Sequence, residues 1–308
     1  MKGLEIARAY WTEAGQPMLE RDFPDLLPKI AAGVCGAGSE CFGFDDEISR
    51  DHDFEPGFCL FLPGEDVLSR REEFLLERAY ARLPADFMGL KRSRLSPVGG
   101  NRRGPIRAAR FWEEHLGVPD GALTDTDWLT LPEYALAEAV NGEIFRDDSG
   151  FFTRTRAALI PPADVTRKKL AGAFFLMGQA GQYNYARCLA HGEPGAAHLA
   201  ADAFVRAALW AAHLLAGRFL PYYKWAFRSL RTLPEGEETA SYLEAVLAGG
   251  DGTEEKIEAL CAAMAAKARA RDPALPDTSE MEKLAYGIND RIRDERIRNL
   301  HILYTVRD

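Results

Sequence analysis

Asp51 and Asp53 stand one residue apart in the stretch Gly38–Gly57, which reads GSECFGFDDEISRDHDFEPG. On an extended segment alternate side chains point the same way, so both carboxylates would face one side and His52 the other. Two carboxylates a few ångström apart repel unless a cation sits between them. Hard divalent ions such as Mg²⁺ take oxygen ligands of this kind at roughly 2.1 Å, and substrate phosphates commonly complete the shell. Upstream, Gly38 and Ser39 supply what phosphates need: backbone N–H groups that no Cβ shields, and one hydroxyl. One stretch therefore combines ligands for a metal ion with ligands for a nucleoside triphosphate. The competing reading is an acidic, turn-rich surface loop, because Asp and Gly are frequent in turns for reasons unrelated to catalysis.

The order Gly38-Ser39, Gly43, then Ser49-x-Asp51-x-Asp53 running into the apolar Phe58–Leu62 resembles the polymerase-beta-like nucleotidyltransferase superfamily. The longer wording resembles the DUF4037 family within it. Two later stretches add to that likeness, GEIFRDDSGFF at 142–152 and PYYKWAFRSL at 221–230. The resemblance implies an α+β fold: an N-terminal nucleotidyltransferase domain with a mixed β-sheet, then an all-helical bundle. It implies two Mg²⁺ ions held by Asp51 and Asp53, with Asp147 as the third carboxylate and Asp148 and Glu143 as runners-up. It also implies that Lys224, at a helix start, reaches the triphosphate from the helical domain. His52-Asp53 also spells the dyad of metal phosphohydrolases. That chemistry needs further His and Asp ligands from helices, and the other histidines (115, 191, 198, 213 and 301) are scattered.

The elements that must carry these residues follow from patterning. Leu4, Ala7, Trp11 and Ala14 recur at helical spacing and predict a helix over 4–14. Ile30–Cys35 reads as the first strand, feeding the turn at Gly36–Ser39. Asp51–Leu62 reads as the second, ended by Pro63-Gly64. Glu65–Arg82 reads as a charged helix that lays Val67, Phe74, Leu75 and Ala79 on the sheet. Residues 83–104 form a long loop with a basic cluster at Lys91, Arg92, Arg94, Arg102 and Arg103, a length usual for functional or mobile segments. Helices are expected over 106–116 and 132–139. Asn141–Phe152 reads as a hairpin with an Asp-Asp-Ser-Gly turn. After Pro161-Pro162 the apolar spacing is helical almost throughout, so the domains divide as 1–162 and 163–308. The second reads as a bundle with an alanine-rich core, its last helix running from 281 to about 304. Within it Arg167-Lys168-Lys169 reads as a solvated helix start. Gln182–Arg187 suits either a purine or acceptor pocket or a buried hydrogen-bond network.

Composition bounds the function. The chain has 308 residues, a 47% hydrophobic share and a net charge of −9. The acid excess argues against a dedicated nucleic-acid binder and favours a small, cationic acceptor. No apolar run reaches the ~20 residues of a membrane span, and the start lacks the apolar core of a signal peptide. Five cysteines without metal spacing read as buried free thiols in a cytoplasmic protein, with Cys41 the one near the motif. The expected activity is transfer of a nucleoside monophosphate from an NTP to an acceptor hydroxyl, with pyrophosphate released. The alternative is an inactive nucleotide-binding or regulatory module on the same fold.

Overall fold

The computed structural model describes residues 1–48, 55–92 and 103–306. The chain forms two compact units. The first holds Met1–Leu123 and Ala135–Ile160, and the second holds Thr124–Tyr134 and Pro161–Asp308. The chain therefore leaves the first unit at 160, and the short segment 124–134 joins the second unit although it precedes that point.

The first unit is built on a four-stranded mixed sheet. Its strands are β1 (Ala31–Val34), β2 (Cys59–Leu62), β5 (Gly104–Arg107) and β6 (Glu143–Asp147), in the order β5-β2-β1-β6. A separate two-stranded ribbon pairs β3 (Asp86–Phe87) with β4 (Leu90–Lys91). β1 runs antiparallel to both neighbours, and β5 runs parallel to β2. The two central strands are buried along their whole length, as expected for a sheet covered on both faces. Phe58, Leu60 and Leu62 join Ile6-side helix residues Ala7, Tyr10 and Trp11, and also Leu76 and Tyr80, in one core. Phe61 points the other way. It stacks on Phe152 at 4.0 Å and meets Phe111 edge-on at 5.3 Å. Gly33 is required here: a Cβ would stand 2.4 Å from the Glu143 carbonyl, at the irregularity where the β1–β6 register shifts.

Several elements depart from the sequence reading. The N-terminal helix does not stop at 14. It runs Gly3–Tyr10, passes through a π-turn at Trp11–Gly15 and continues as Gln16–Asp22. The second strand begins only at Cys59. The charged helix begins at Arg70, where Ser69 and Glu72 form a capping box. It buries Leu76 and Tyr80, while Val67, Phe74 and Leu75 are exposed. Residues 104–107, expected in a loop and a helix start, form β5. The hairpin expected at 141–152 is a strand followed by a helix, because the second aromatic run opens Phe151–Ala158.

The second unit is helical. Its helices include Ala163–Met177, Pro194–Leu215, Tyr223–Leu230, Gly236–Ala248, Thr253–Arg271 and Met281–Asp290, packed around an alanine-rich core. A π-segment, Gly178–Tyr185, follows the first of these. The last helix ends at Asp290, and a short one, Glu295–Arg298, follows it. Helix Asp125–Thr130, capped by Thr124 and Asp127, was not expected. Lys168 and Lys169, read as solvated, are buried. Lys168 Nζ donates to Asn289 Oδ1 (2.8 Å) and to the carbonyls of Arg298 (3.2 Å) and Leu300 (2.6 Å). Lys169 pairs with Glu133 at 2.6 Å. A buried ammonium is tolerated only where such acceptors replace its water.

Candidate functional site

β1 delivers the chain into the turn that begins at Gly36. Asn141 clamps its first residue from both sides: Gly36 N–H donates to Asn141 Oδ1, and Asn141 Nδ2 donates to the Gly36 carbonyl, each at 2.9 Å. Nothing in the pattern had marked Asn141, yet an amide side chain can copy the hydrogen bonding of a strand neighbour. Beyond Gly36, a short 3₁₀ turn, Glu40–Phe42, follows Ser39 and closes on Gly43 in the left-handed region. Cys41 N–H donates to the Gly38 carbonyl (3.1 Å) and Phe44 N–H to the Ser39 carbonyl (2.8 Å). Among the described residues, the N–H groups of Gly38 and Ser39 have no hydrogen-bond partner. Two unpaired amides at a partly exposed turn are donors left open to a ligand.

A charge pair lies against those amides. The Glu40 carboxylate folds back over Gly38, so that a Cβ there would stand 2.6 Å from its Oε2. Arg103 holds that carboxylate through Nη2, and both side chains are largely buried, 16% and 21% exposed. Arg103 had been marked only as one member of a basic cluster. It stands just before β5, whose parallel pairing with β2 brings it beside the turn. Cys41 lies beneath. Burial pushes its thiol up to about 12, against the opposing pull of Arg103, so it stays protonated and is a packing residue, not a nucleophile. All five cysteines are free.

The register separates the candidate carboxylates. β6 runs antiparallel to β1, so Glu143 stands opposite Val34 and Asp147 opposite Ala31. Glu143 is thus at the end where β1 enters the Gly36 turn, and Asp147 is at the far end, about 13 Å along the strand. Asp147 is engaged in other work. Its Oδ2 accepts from Thr153 N–H (2.8 Å) and Thr153 Oγ1 (2.9 Å), which caps the helix Phe151–Ala158. Of the two acids proposed for a third metal ligand, Glu143 is the one at the end of β6 nearer the Gly36 turn. Glu143 is half-exposed and paired with Arg8.

Asp51 and Asp53, with Ser49 and His52, lie outside the described residues. Among the described residues no group of three or more His, Cys, Asp or Glu is placed to hold a metal ion, so the described acids alone do not make a Mg²⁺ site. In the second unit, Lys224 is exposed on the first turn of Tyr223–Leu230, its Nζ 5.3 Å from the centre of the Trp225 ring. The amide of Gln182 is used structurally: Nε2 donates to Glu258 Oε2 (2.8 Å) and the Ser279 carbonyl (3.1 Å), and Oε1 accepts from Met281 N–H (2.9 Å). For Gln182 itself this is the hydrogen-bonding role of the two expectations for this segment. No helix among the described residues is long and apolar enough to cross a membrane.

Comparison with known proteins finds no match among curated proteins and none among solved structures. One family model does match, over a span that holds β6, its helix and the start of Tyr223–Leu230, but not the Gly38 turn: residues 128–226 match DUF4037, a domain of unknown function.

Proposed function

We propose that the protein is a nucleotidyltransferase that moves a nucleoside monophosphate from an NTP to an acceptor hydroxyl. One observation carries the reading: the turn after β1 presents the unpaired N–H groups of Gly38 and Ser39 beside the buried guanidinium of Arg103. Backbone donors and a guanidinium are the groups that hold phosphate oxygens. Gly38 and Ser39 would hold the β- and γ-phosphates, and Lys224 would offset their charge. Asp51 and Asp53, with Glu143 favoured over Asp147 as the third acid, would hold Mg²⁺, which when bound supplies charge stabilisation for phosphoryl chemistry. The link to polymerase-beta-like enzymes rests on the motif from Gly38 to Asp53 alone. A small-molecule acceptor remains the expectation from the acidic net charge, and the free thiols suit a reducing cytoplasm.

A second reading is favoured by Glu40. A carboxylate against Gly38 opposes phosphate at that amide, which suits a module that binds nucleotide weakly or only after Glu40 moves. A thermal-shift series with ATP, GTP, CTP and UTP, with and without Mg²⁺, tests both. Native-state binding raises the midpoint by mass action. The transferase reading expects a metal-dependent rise with one nucleotide that Asp51→Asn/Asp53→Asn abolishes. An equal rise in the double variant would remove the two aspartates from the site. No rise with any nucleotide would overturn the reading.

A further inference from the structure

A groove of about 280 Å³ opens in the second unit, where the end of helix Pro194–Leu215, the loop after Leu230 and the end of helix Thr253–Arg271 come together. Leu215 and Leu230 line it, and the small side chain of Ala216 leaves it open. Among the described residues no aromatic ring lines it. Its rim is charged, with Lys267, Arg271 and one acid, Glu235. Glu235 pairs with Lys267 at 3.0 Å. Arg271 is exposed and has no hydrogen-bond or ion-pair partner among the described residues.

The acid on this rim is held in place by a strained turn. Gly236 packs so closely that a Cβ there would stand 1.8 Å from the Leu230 carbonyl oxygen. Thr239 Oγ1 donates to the Glu235 carbonyl at 2.9 Å. Between these contacts Glu235 takes the left-handed conformation, φ 58°, one of two non-glycine residues to do so among the described residues. Strain of this kind persists only where the surroundings fix it, and it gathers at ligand sites. A cation in the last turn of a helix favours the macrodipole. That accounts for the sign of Arg271 but not for its place on the rim of an apolar groove. Two cations and one acid leave the rim with one positive charge in excess, which matches a single anionic head. Aliphatic walls without a ring match an aliphatic body, and the volume falls just below the roughly 300–1,000 Å³ of drug-sized sites, so the ligand is small.

We infer that this groove binds a small aliphatic carboxylate. The chain of the ligand lies against Leu215, Leu230 and Ala216, and its carboxylate takes the planar fork of Arg271, which suits two parallel hydrogen bonds. Lys267 and Glu235 keep their own pair beside it. No residue of this groove belongs to the Gly38 turn, and Lys224 is not part of it, so the inference needs neither Mg²⁺ nor an NTP.

The experiment is isothermal titration calorimetry of the full chain with sodium octanoate, kept below its micelle-forming concentration, in the absence of metal and NTP. Wild type should bind saturably, with the negative heat-capacity change of apolar burial. Octan-1-ol keeps the chain and lacks the charge, and it should bind about tenfold more weakly. Arg271→Gln should lose about the same factor for octanoate, with an unchanged melting midpoint because the side chain is exposed. Ala216→Leu fills the groove and should abolish binding, whereas Glu235→Gln frees Lys267 and should strengthen it several-fold. Four results would overturn the inference: no saturable heat with octanoate, equal binding of octan-1-ol, tighter binding of octyl phosphate, or octanoate binding that neither Arg271→Gln nor Ala216→Leu weakens. The last would mark a detergent-like association away from the groove. A failure of the NTP thermal shift would leave this result untouched, and the reverse also holds.

Discussion

Glu40 and Arg103 make opposite demands on any anion at the Gly38 turn. Replacing the carboxylate by an amide removes the repulsion while keeping the shape. Glu40→Gln is therefore expected to raise the affinity of the nucleotide found by thermal shift several-fold, and an unchanged affinity would place the phosphates elsewhere. The converse change is costly. Arg103→Ala leaves a largely buried carboxylate unpaired, and a loss of about 3 kcal/mol in denaturant unfolding is expected. A second titratable residue acts on stability instead of binding. His213 is fully buried, with Nδ1 2.8 Å from the Leu209 carbonyl and Nε2 2.9 Å from Ser229 Oγ. Burial lowers its pKa to about 4, against the pull of the Leu209 carbonyl. The folded value lies below the unfolded one of about 6.5, so the neutral ring is native. Its stabilisation is complete above about pH 6.5 and is lost as pH falls towards 4, at about 3 kcal/mol in full. Melting midpoints across that window should fall more steeply for wild type than for His213→Gln. Parallel curves would mean that His213 does not carry the acid sensitivity.

At the scale of elements, β6 and the helix after it decide between two roles for one acid. If Asp147 is a cap, an asparagine keeps the acceptor for Thr153 N–H and an alanine does not. Asp147→Asn should then leave both stability and metal-dependent nucleotide binding near wild type, while Asp147→Ala should cost about 1 kcal/mol. Loss of the metal-dependent shift in Asp147→Asn alone would return Asp147 to the metal site. Glu143→Gln should show the opposite pattern, with binding reduced and stability little changed. The same strand shows why a pattern misleads locally. Phe151-Phe152 continues an apolar run, which suits a strand. But Gly150 in the left-handed region and the Asp147 carboxylate together start a helix, and Phe152 then stacks on Phe61 from above the sheet.

At the scale of the whole molecule, two cores that share no residue support the two units. A defect in one should be read there. Gly181, in the π-segment, is such a position: a Cβ would stand 2.3 Å from the Phe204 ring. Gly181→Ala is expected to cost about 1–3 kcal/mol by overpacking. Hydrogen exchange should quicken over 163–215 and stay unchanged in β1 and β2. Equal quickening in both would mean that the chain opens as one cooperative body.

What the chain declares by itself is what local chemistry and periodicity can encode. The small, apolar Ala31–Val34, the glycine-rich turn after it and the change of texture at Pro161-Pro162 rest on side-chain size, backbone freedom and 3.6-residue spacing, and each is visible in a short window. The α+β class and the helical remainder follow from these. Tertiary structure decided whatever depends on a partner far along the chain. Arg103 and Asn141 reach the Gly36–Gly43 turn only because β5 and β6 add to the sheet on either side of β2 and β1. Lys168 is buried rather than solvated because carbonyls about 130 residues away meet its ammonium. Which of Glu143 and Asp147 lies nearer the turn is a matter of register, since both are on one strand and only the pairing with β1 says which end meets the turn. A sequence window holds side-chain chemistry, but register and burial are set by the neighbours that folding brings.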